Sequence, residues 1–252
     1  VGSGGGRRRR ERARPALRVA VALVEPLLLL LTRRDWQGGE HVPRRGGVVL
    51  CPNHLSHVDP LTFAHFLWRQ GRSPRFLAKE SLFRAPVLGA VMRGAEQIPV
   101  LRGAGSAGGA YAAALEALRG GAAVCVYPEG TITRDPDGWP MLARTGAARL
   151  GLETGAPVVP VAQWGPQELL PPYTLRLRLR PRTLVHVHAG PPVPLDDLRG
   201  RPVDAELLAE AARRITDATT ALLARVRGEA PPPEPYDPRR HAGPLPGGRM
   251  PA

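Results

Sequence analysis

The stretch VVLCPNHLSHVDP, residues 48–60, decides how the rest of the chain is read. VVLC is a short continuous apolar run, the signature of a strand buried on both faces of a parallel sheet. Pro52, Asn53 and Ser56 are turn formers, and the pattern beyond them predicts a helix over 59–69. In open α/β sheets ligands bind at the carboxyl ends of strands, where this turn falls. His54 and Asp59 stand five apart. On one regular helix they would point about 140° apart, so they meet only if the chain turns between them. A carboxylate against one imidazole nitrogen fixes the tautomer and leaves the other nitrogen as a base. The plainer alternative makes Asn53 and Asp59 turn and cap residues, with His54 incidental.

The same alternation continues outward. Residues 75–78, 98–100, 122–127 and 158–162 read as strands, and residues 82–93, 106–119, 143–154 and 204–226 as helices. TLRLRLR (174–180) alternates strictly, and with LVHVH (184–188) it suggests an antiparallel strand pair at the sheet edge. Arg176, Arg178, Arg180 and Arg182 would then face solvent and deter edge pairing, or meet anionic head groups or an acidic carrier. Strands alternating with helices predict an α/β fold: a single domain with a mostly parallel central sheet flanked by helices and an antiparallel edge. The expected divisions are a flexible basic tail over 1–14, a membrane-associating amphipathic helix over 15–34, the folded domain over 35–228, and a disordered Pro/Gly-rich tail over 229–252.

Composition narrows the class. The chain has 252 residues, 43% hydrophobic and 23% charged, with two cysteines, Cys51 and Cys125, each inside an apolar run. That excludes a disulfide-rich secreted module and a cysteine-based zinc cluster. No run of about 18 uninterrupted apolar residues exists, which excludes a polytopic membrane protein. The net charge of +13 is concentrated at the start, where residues 1–45 hold 11 arginines against 4 acids. Such charge suits an anionic partner, a phospholipid surface or nucleic acid. Few aromatics accompany the basic cluster, which disfavours nucleic acid. The apolar stretch ALRVAVALVEPLLLLL (16–31) carries Glu25 and Pro26. As a helix it spans roughly 24 Å, short of the roughly 30 Å hydrocarbon core. A helix lying in one leaflet fits this pattern; the alternative is a helix packed on the domain's own core. A signal peptide is disfavoured because Thr32-Arg33-Arg34-Asp35 lacks the small residues of a cleavage site.

Two further stretches sit at strand ends. VCVYPEGTITRD (124–135) runs a strand into a Pro-Glu-Gly-Thr turn, in which Gly130 allows close approach to the backbone. Glu129 and Thr131 offer hydrogen bonds to hydroxyls, and Arg134 offers a phosphate partner. QIPVLRG (97–103) places Arg102 just past another strand. Each alone is unremarkable: an ordinary acidic turn and a solvated arginine.

Together they carry a resemblance. NHLSHVD resembles the NHxxxxD block of the 1-acylglycerol-3-phosphate acyltransferase (PlsC-type) family of glycerolipid acyltransferases. IPVLR resembles the second block, YPEGT the third, and APVVPVA (156–162), with Pro160, the fourth, all in order. The resemblance covers roughly residues 36–190. It implies His54 as general base, Asp59 as its orienting partner, and Asn53, Arg102, Glu129, Gly130, Thr131 and Arg134 as residues binding the acceptor. It implies acyl transfer from acyl-CoA or acyl-carrier protein to the sn-2 hydroxyl of lysophosphatidic acid, giving phosphatidic acid. No cofactor, metal or nucleic acid is implied. The enzyme is expected at an anionic membrane surface, peripheral or monotopic on the cytoplasmic face. Three positions depart from the family pattern: Tyr127 replaces the usual Phe, Leu101 stands where a polar residue is common, and Ile132 stands where Arg is usual, with Arg134 two residues later.

Other readings remain open at this point. His54, His57 and Asp59 form HxxHxD, a possible metallohydrolase set, with His186 and His188 as the histidines on the later strands. A non-enzymatic basic protein binding nucleic acid or membrane rests on charge alone. A cysteine nucleophile lacks the flanking positive charge that would lower a thiol pKa.

Overall fold

The computed structural model describes residues 14–101, 107–178, 182–238 and 240. The chain opens with α1 (Pro15–Leu31) and passes directly into β1 (Thr32–Gln37). It continues through β2 (Val48–Pro52), α2 (Asp59–Arg69), β3 (Pro74–Lys79), α3 (Ser81–Arg84), α4 (Pro86–Gly94) and β4 (Ile98–Val100). Then come α5 (Ala107–Arg119), β5 (Ala123–Cys125), α6 (Gly146–Thr154), β6 (Val158–Trp164), α7 (Pro166–Leu169), β7 (Thr183–Ala189) and α8 (Ala205–Arg227).

Among the described residues the strands form one seven-stranded sheet in the order β1-β7-β6-β2-β5-β3-β4. The five strands from β6 to β4 are parallel to one another. β7 runs antiparallel to β6, and β1 pairs parallel to β7, so the two form an edge ribbon of opposite direction. This is the mostly parallel α/β sheet with an antiparallel edge that the sequence predicts.

The central strands alternate between two cores. Val49, Cys51, Val124, Val126 and Val158 face one core with α5, α6 and α8. Val48, Leu50, Ala123, Cys125, Val159 and Val161 face the other, with Phe63, Phe66 and Leu67 of α2. Burial on both faces is why VVLC reads as a continuous apolar run. Arg72 is also buried, its guanidinium donating to the carbonyls of Pro43, Gly46 and Gly121. A buried cation persists only with its donors satisfied in this way.

Several expectations need correction. Residues 174–178 of the predicted TLRLRLR strand lie outside any strand, with Leu175 85% exposed, and 179–181 lie outside the described residues. Both edges of β7 are already taken, by β6 and β1, so an alternating segment there has no partner strand. β1 itself was not predicted, because TRRDWQ shows no apolar alternation. It makes Thr32 the start of the sheet, three residues before the expected domain boundary. The helix expected over 82–93 breaks at Ala85, whose extended backbone precedes Pro86; proline disfavours helical geometry in the residue before it. Part of the C-terminal segment expected to be disordered returns to the domain: Tyr236 bridges Met141, and its carbonyl accepts from Leu142 N–H at 3.1 Å. Residues 241–252 lie outside the described residues.

Candidate active site

β2 ends at Pro52, and the chain turns before α2 begins at Asp59. The turn wraps around the Asp59 carboxylate, which is fully buried. Asp59 Oδ2 accepts from the backbone N–H groups of Leu55 and Ser56, the latter at 2.8 Å. The same oxygen lies 2.8 Å from His54 Nδ1. An ionised carboxylate only accepts, so Nδ1 carries the proton and Nε2 keeps its lone pair. The His54 ring stacks on Tyr127 from the end of β5, with centroids 4.1 Å apart and planes 25° from parallel. A carboxylate at one edge and an aromatic face below fix the imidazole plane. Such stacking contributes about 0.5–1.5 kcal/mol. The replacement of Phe by Tyr at 127 leaves this contact in place, and burial pushes the Tyr127 phenol well above its usual pKa.

Two residues expected to meet substrate are committed to the scaffold. Asn53 is buried: its Nδ2 donates to the Gln163 carbonyl at 3.1 Å, and its Oδ1 accepts from Gln163 N–H at 2.7 Å. It extends the β2–β6 ladder by one side chain. Glu129 is also buried, with Oε1 accepting from His54 N–H and Oε2 from Met141 N–H, each at 3.0 Å. Burial pushes its carboxyl up to about 8, against the lowering effect of those backbone donors. Glu129 therefore ties the YPEGT turn to the histidine turn. Gly130 closes the Tyr127–Gly130 turn with φ +72°, and its N–H donates to the Tyr127 carbonyl at 3.0 Å. That N–H is engaged in the turn and is not directed at a ligand.

Thr131 is half-buried beside this turn, and Ile132 is buried. Thr133 N–H donates to the His54 carbonyl at 2.8 Å. Arg134 is half-buried, and its Nε has no protein partner. Tyr173, which sequence reasoning missed, pins the segment by donating its hydroxyl proton to the Ile132 carbonyl at 2.6 Å. Arg144 was missed too. Its exposed side chain overlies Gly130, where a Cβ would come within 2.8 Å of Nε. Only its place just before α6 signals this. Arg102 lies outside the described residues; β4, which leads to it, ends at Val100.

The rival chemistries find less support. His57 is exposed and does not join His54 and Asp59 in a ligand cluster. Cys51 and Cys125 are wholly buried, and burial pushes both thiols far up, the opposite of an activated thiolate.

α1 joins the site's flank. Glu25 accepts from His65 at 2.9 Å and from Arg69, both on α2, and Leu17 and Leu28 are buried. The opposite face exposes Val19, Leu23, Leu27 and Leu30. No helix among the described residues is long and apolar enough to cross a membrane.

Residues 33–164 match the family model described as Acyltransferase. A 1-acyl-sn-glycerol-3-phosphate acyltransferase of Borreliella burgdorferi is 31% identical over 125 residues, 49% of this chain and 48% of that protein. The chloroplastic 1-acyl-sn-glycerol-3-phosphate acyltransferase BAT2 of Brassica napus is 31% identical over 141 residues, 55% of this chain and 39% of that protein. The matched stretch thus spans about half the length, or less, of these relatives. In fold, the crystal structure of the 1-acyl-sn-glycerophosphate acyltransferase PlsC from Thermotoga maritima superposes with a TM-score of 0.65 at 22% identity, over 86% of this chain and 81% of that one.

Proposed function

The chain belongs to the acyltransferase family, and on that premise we propose that it transfers a fatty acyl group to the sn-2 hydroxyl of 1-acylglycerol 3-phosphate, giving phosphatidic acid. The observation that carries this is the 2.8 Å contact of His54 Nδ1 with the buried Asp59 carboxylate at the carboxyl end of β2. The acceptor is taken from the activity of the relatives, which are 1-acyl-sn-glycerol-3-phosphate acyltransferases.

In the proposed reaction Nε2 of His54 takes the proton of the acceptor hydroxyl as its oxygen attacks the thioester carbonyl of acyl-CoA or acyl-carrier protein. The tetrahedral intermediate collapses with cleavage of the C–S bond. The thiolate leaves and takes back the proton from the imidazolium. Asp59 stabilises that imidazolium and holds its tautomer. Asn53 and Glu129 act as positioning residues through the backbone of the histidine turn. Arg134 and Arg144, with Arg102, form the proposed cationic grip on the acceptor phosphate, and Thr131 lies within the same turn. Holding the acceptor by its phosphate supplies the orientational part of catalysis. The apolar outer face of α1 rests in one leaflet of an anionic membrane, on the cytoplasmic face, where the acceptor resides.

Incubating the purified protein with labelled acyl-CoA or acyl-carrier protein and a panel of lysolipids, then identifying products by mass, tests the reading. Acyl transfer to lysophosphatidic acid that disappears in His54→Ala supports it. Transfer only to a different lysophospholipid or glycolipid would keep the mechanism and replace the acceptor. No transfer to any lysolipid would overturn both.

A further inference from the structure

The edge ribbon brings together three side chains that the acyl-transfer reading does not use. Asp35 on β1 stands in register with His186 on β7, and His188 lies two residues further along the same face. Val185 and Val187, between and beside them, point into the opposite core. One carboxylate oxygen, Asp35 Oδ2, meets both rings: His186 Nδ1 at 2.7 Å and His188 Nε2 at 2.9 Å. The three ligand atoms all lie within 4.8 Å of one another, and among the described residues this is the grouping of its kind.

We propose that Asp35, His186 and His188 bind a divalent transition-metal ion of the zinc class, as a two-nitrogen, one-oxygen ligand set with a position left for water. Imidazole and carboxylate donors suit such ions. With bonds of about 2.0–2.2 Å, tetrahedral ligand atoms stand about 3.4 Å apart. The two Oδ2–nitrogen contacts, now 2.7 and 2.9 Å, need to open by about 0.5–0.7 Å to reach that spacing, within the play of side-chain torsions. To ligate, each ring carries its proton on the other nitrogen, exchanged through solvent, and presents a lone pair to the ion. Gln37 Nε2 donates to Asp35 Oδ1 at 3.2 Å, on the oxygen away from the two rings, and so holds the carboxylate in place, as outer-shell partners of ligands do. The side chains are 34%, 20% and 14% exposed for Asp35, His186 and His188, so an ion can enter from solvent. The role that follows is structural. The ion ties β1, and with it the root of α1, to a strand about 150 residues away in sequence, which stabilises by closing a long loop. This proposal does not depend on the acyltransferase reading.

The test titrates the full, untagged, metal-stripped chain with Co²⁺ and then Zn²⁺. Expected are one equivalent of Co²⁺ with the intense visible absorption of tetrahedral cobalt, its displacement by Zn²⁺, and a rise in melting temperature with Zn²⁺. Asp35→Asn, His186→Gln and His188→Gln should each weaken binding at least tenfold, while His54→Ala binds as wild type does. Circular dichroism checks that each variant folds. Where one does not, protection of His186 and His188 in the wild-type chain from acylation by diethyl pyrocarbonate, read by peptide mass with and without Zn²⁺, decides in its place. Absence of a stoichiometric cobalt spectrum, a spectrum unchanged in the histidine variants, or unprotected histidines overturns the proposal.

Discussion

His54 and Asp59, five residues apart, are held 2.8 Å apart because the turn between them folds around the carboxylate, with Leu55 and Ser56 donating to the oxygen that His54 meets. The carboxylate thus has two jobs, shaping the loop and orienting the ring. His54→Ala should leave the fold intact and lower kcat by about 10²–10⁴. Asp59→Asn should lower kcat and also the melting temperature, since an amide replaces an acceptor that serves three donors. Steady-state kinetics beside thermal melts check this. A His54→Ala enzyme with near-wild-type turnover would end the general-base proposal.

Glu129 yields a pH prediction. Its carboxyl is raised by burial to about 8, from an ordinary 4.5. Between those values the unfolded chain has released the proton and the folded chain retains it. The unfolded state binds fewer protons, so this group's contribution to stability falls as pH rises across that window. Glu129→Gln resembles the protonated form and should remove that slope. It forfeits one backbone bond, at about 1–3 kcal/mol. Urea unfolding of wild type and variant at several pH values measures the difference, in which the opposing titration of histidines cancels. Parallel curves would show that Glu129 is ionised throughout.

Arg134 and Arg144 flank the YPEGT turn, one with a buried Nε lacking a protein partner, the other over Gly130. Replacing either with Ala should raise the KM for a phosphorylated acceptor roughly 10- to 150-fold, the worth of a charged hydrogen bond, with the donor KM little changed. Arg102→Ala should behave likewise. Loss of donor affinity alone would assign these arginines to the thioester carrier.

Local signals were legible in the sequence and long-range ones were not. VVLC and the turn after it are read correctly because a doubly buried strand and a Pro/Asn/Ser turn are encoded by adjacent residues. β1 was not, because TRRDWQ becomes a strand only by pairing with β7, which arrives 150 residues later. TLRLRLR misleads for the same reason: alternation says a segment fits a sheet, not that an edge is vacant. At the site, the spacing of His54 and Asp59 within one turn allowed their pairing, and the resemblance of NHLSHVD to the NHxxxxD block gave them their roles. The scaffold bonds of Asn53 and Glu129 were hidden, since their partners are backbone groups of Gln163 and Met141 on distant segments.

The thiols offer a negative test. Cys51 and Cys125 are wholly buried in the sheet, with pKa values pushed up by that burial. The native protein should resist alkylation, and Cys51→Ala/Cys125→Ala should keep most turnover while melting at lower temperature, as small core cavities cost about 1 kcal/mol or more each. An acyl-thioester trapped on either cysteine would revive a covalent route.

The membrane prediction rests on the two faces of α1. Deleting the helix is a poor test, because Glu25 bonds His65 and Arg69 on α2, and Leu17 and Leu28 are buried against the domain. Its loss would expose that surface, and a cut beyond Leu31 would remove part of β1 as well. The outer face can be changed alone. Val19, Leu23, Leu27 and Leu30 are 57%, 73%, 54% and 69% exposed, spaced four, four and three residues apart along one stripe. Full burial of such a side chain is worth about 1.5–3 kcal/mol, so the four together are expected to give a reversible but substantial attachment. Arg14 and Arg18 near one end and Arg33 and Arg34 at the other add attraction to anionic lipid. Replacing the four apolar residues with Ser or Gln should leave the melting temperature near wild type, because none of them packs inward. Sedimentation with anionic vesicles should fall at least tenfold. Transfer to membrane-embedded acceptor should fall with it, while transfer to detergent-dispersed acceptor should hold. Wild-type binding should weaken with salt, as the arginine contribution is screened. If the variant still sediments fully, the attachment lies elsewhere, and exposed Val87 and Leu88 on α4, which packs beside α1, are the next residues to change.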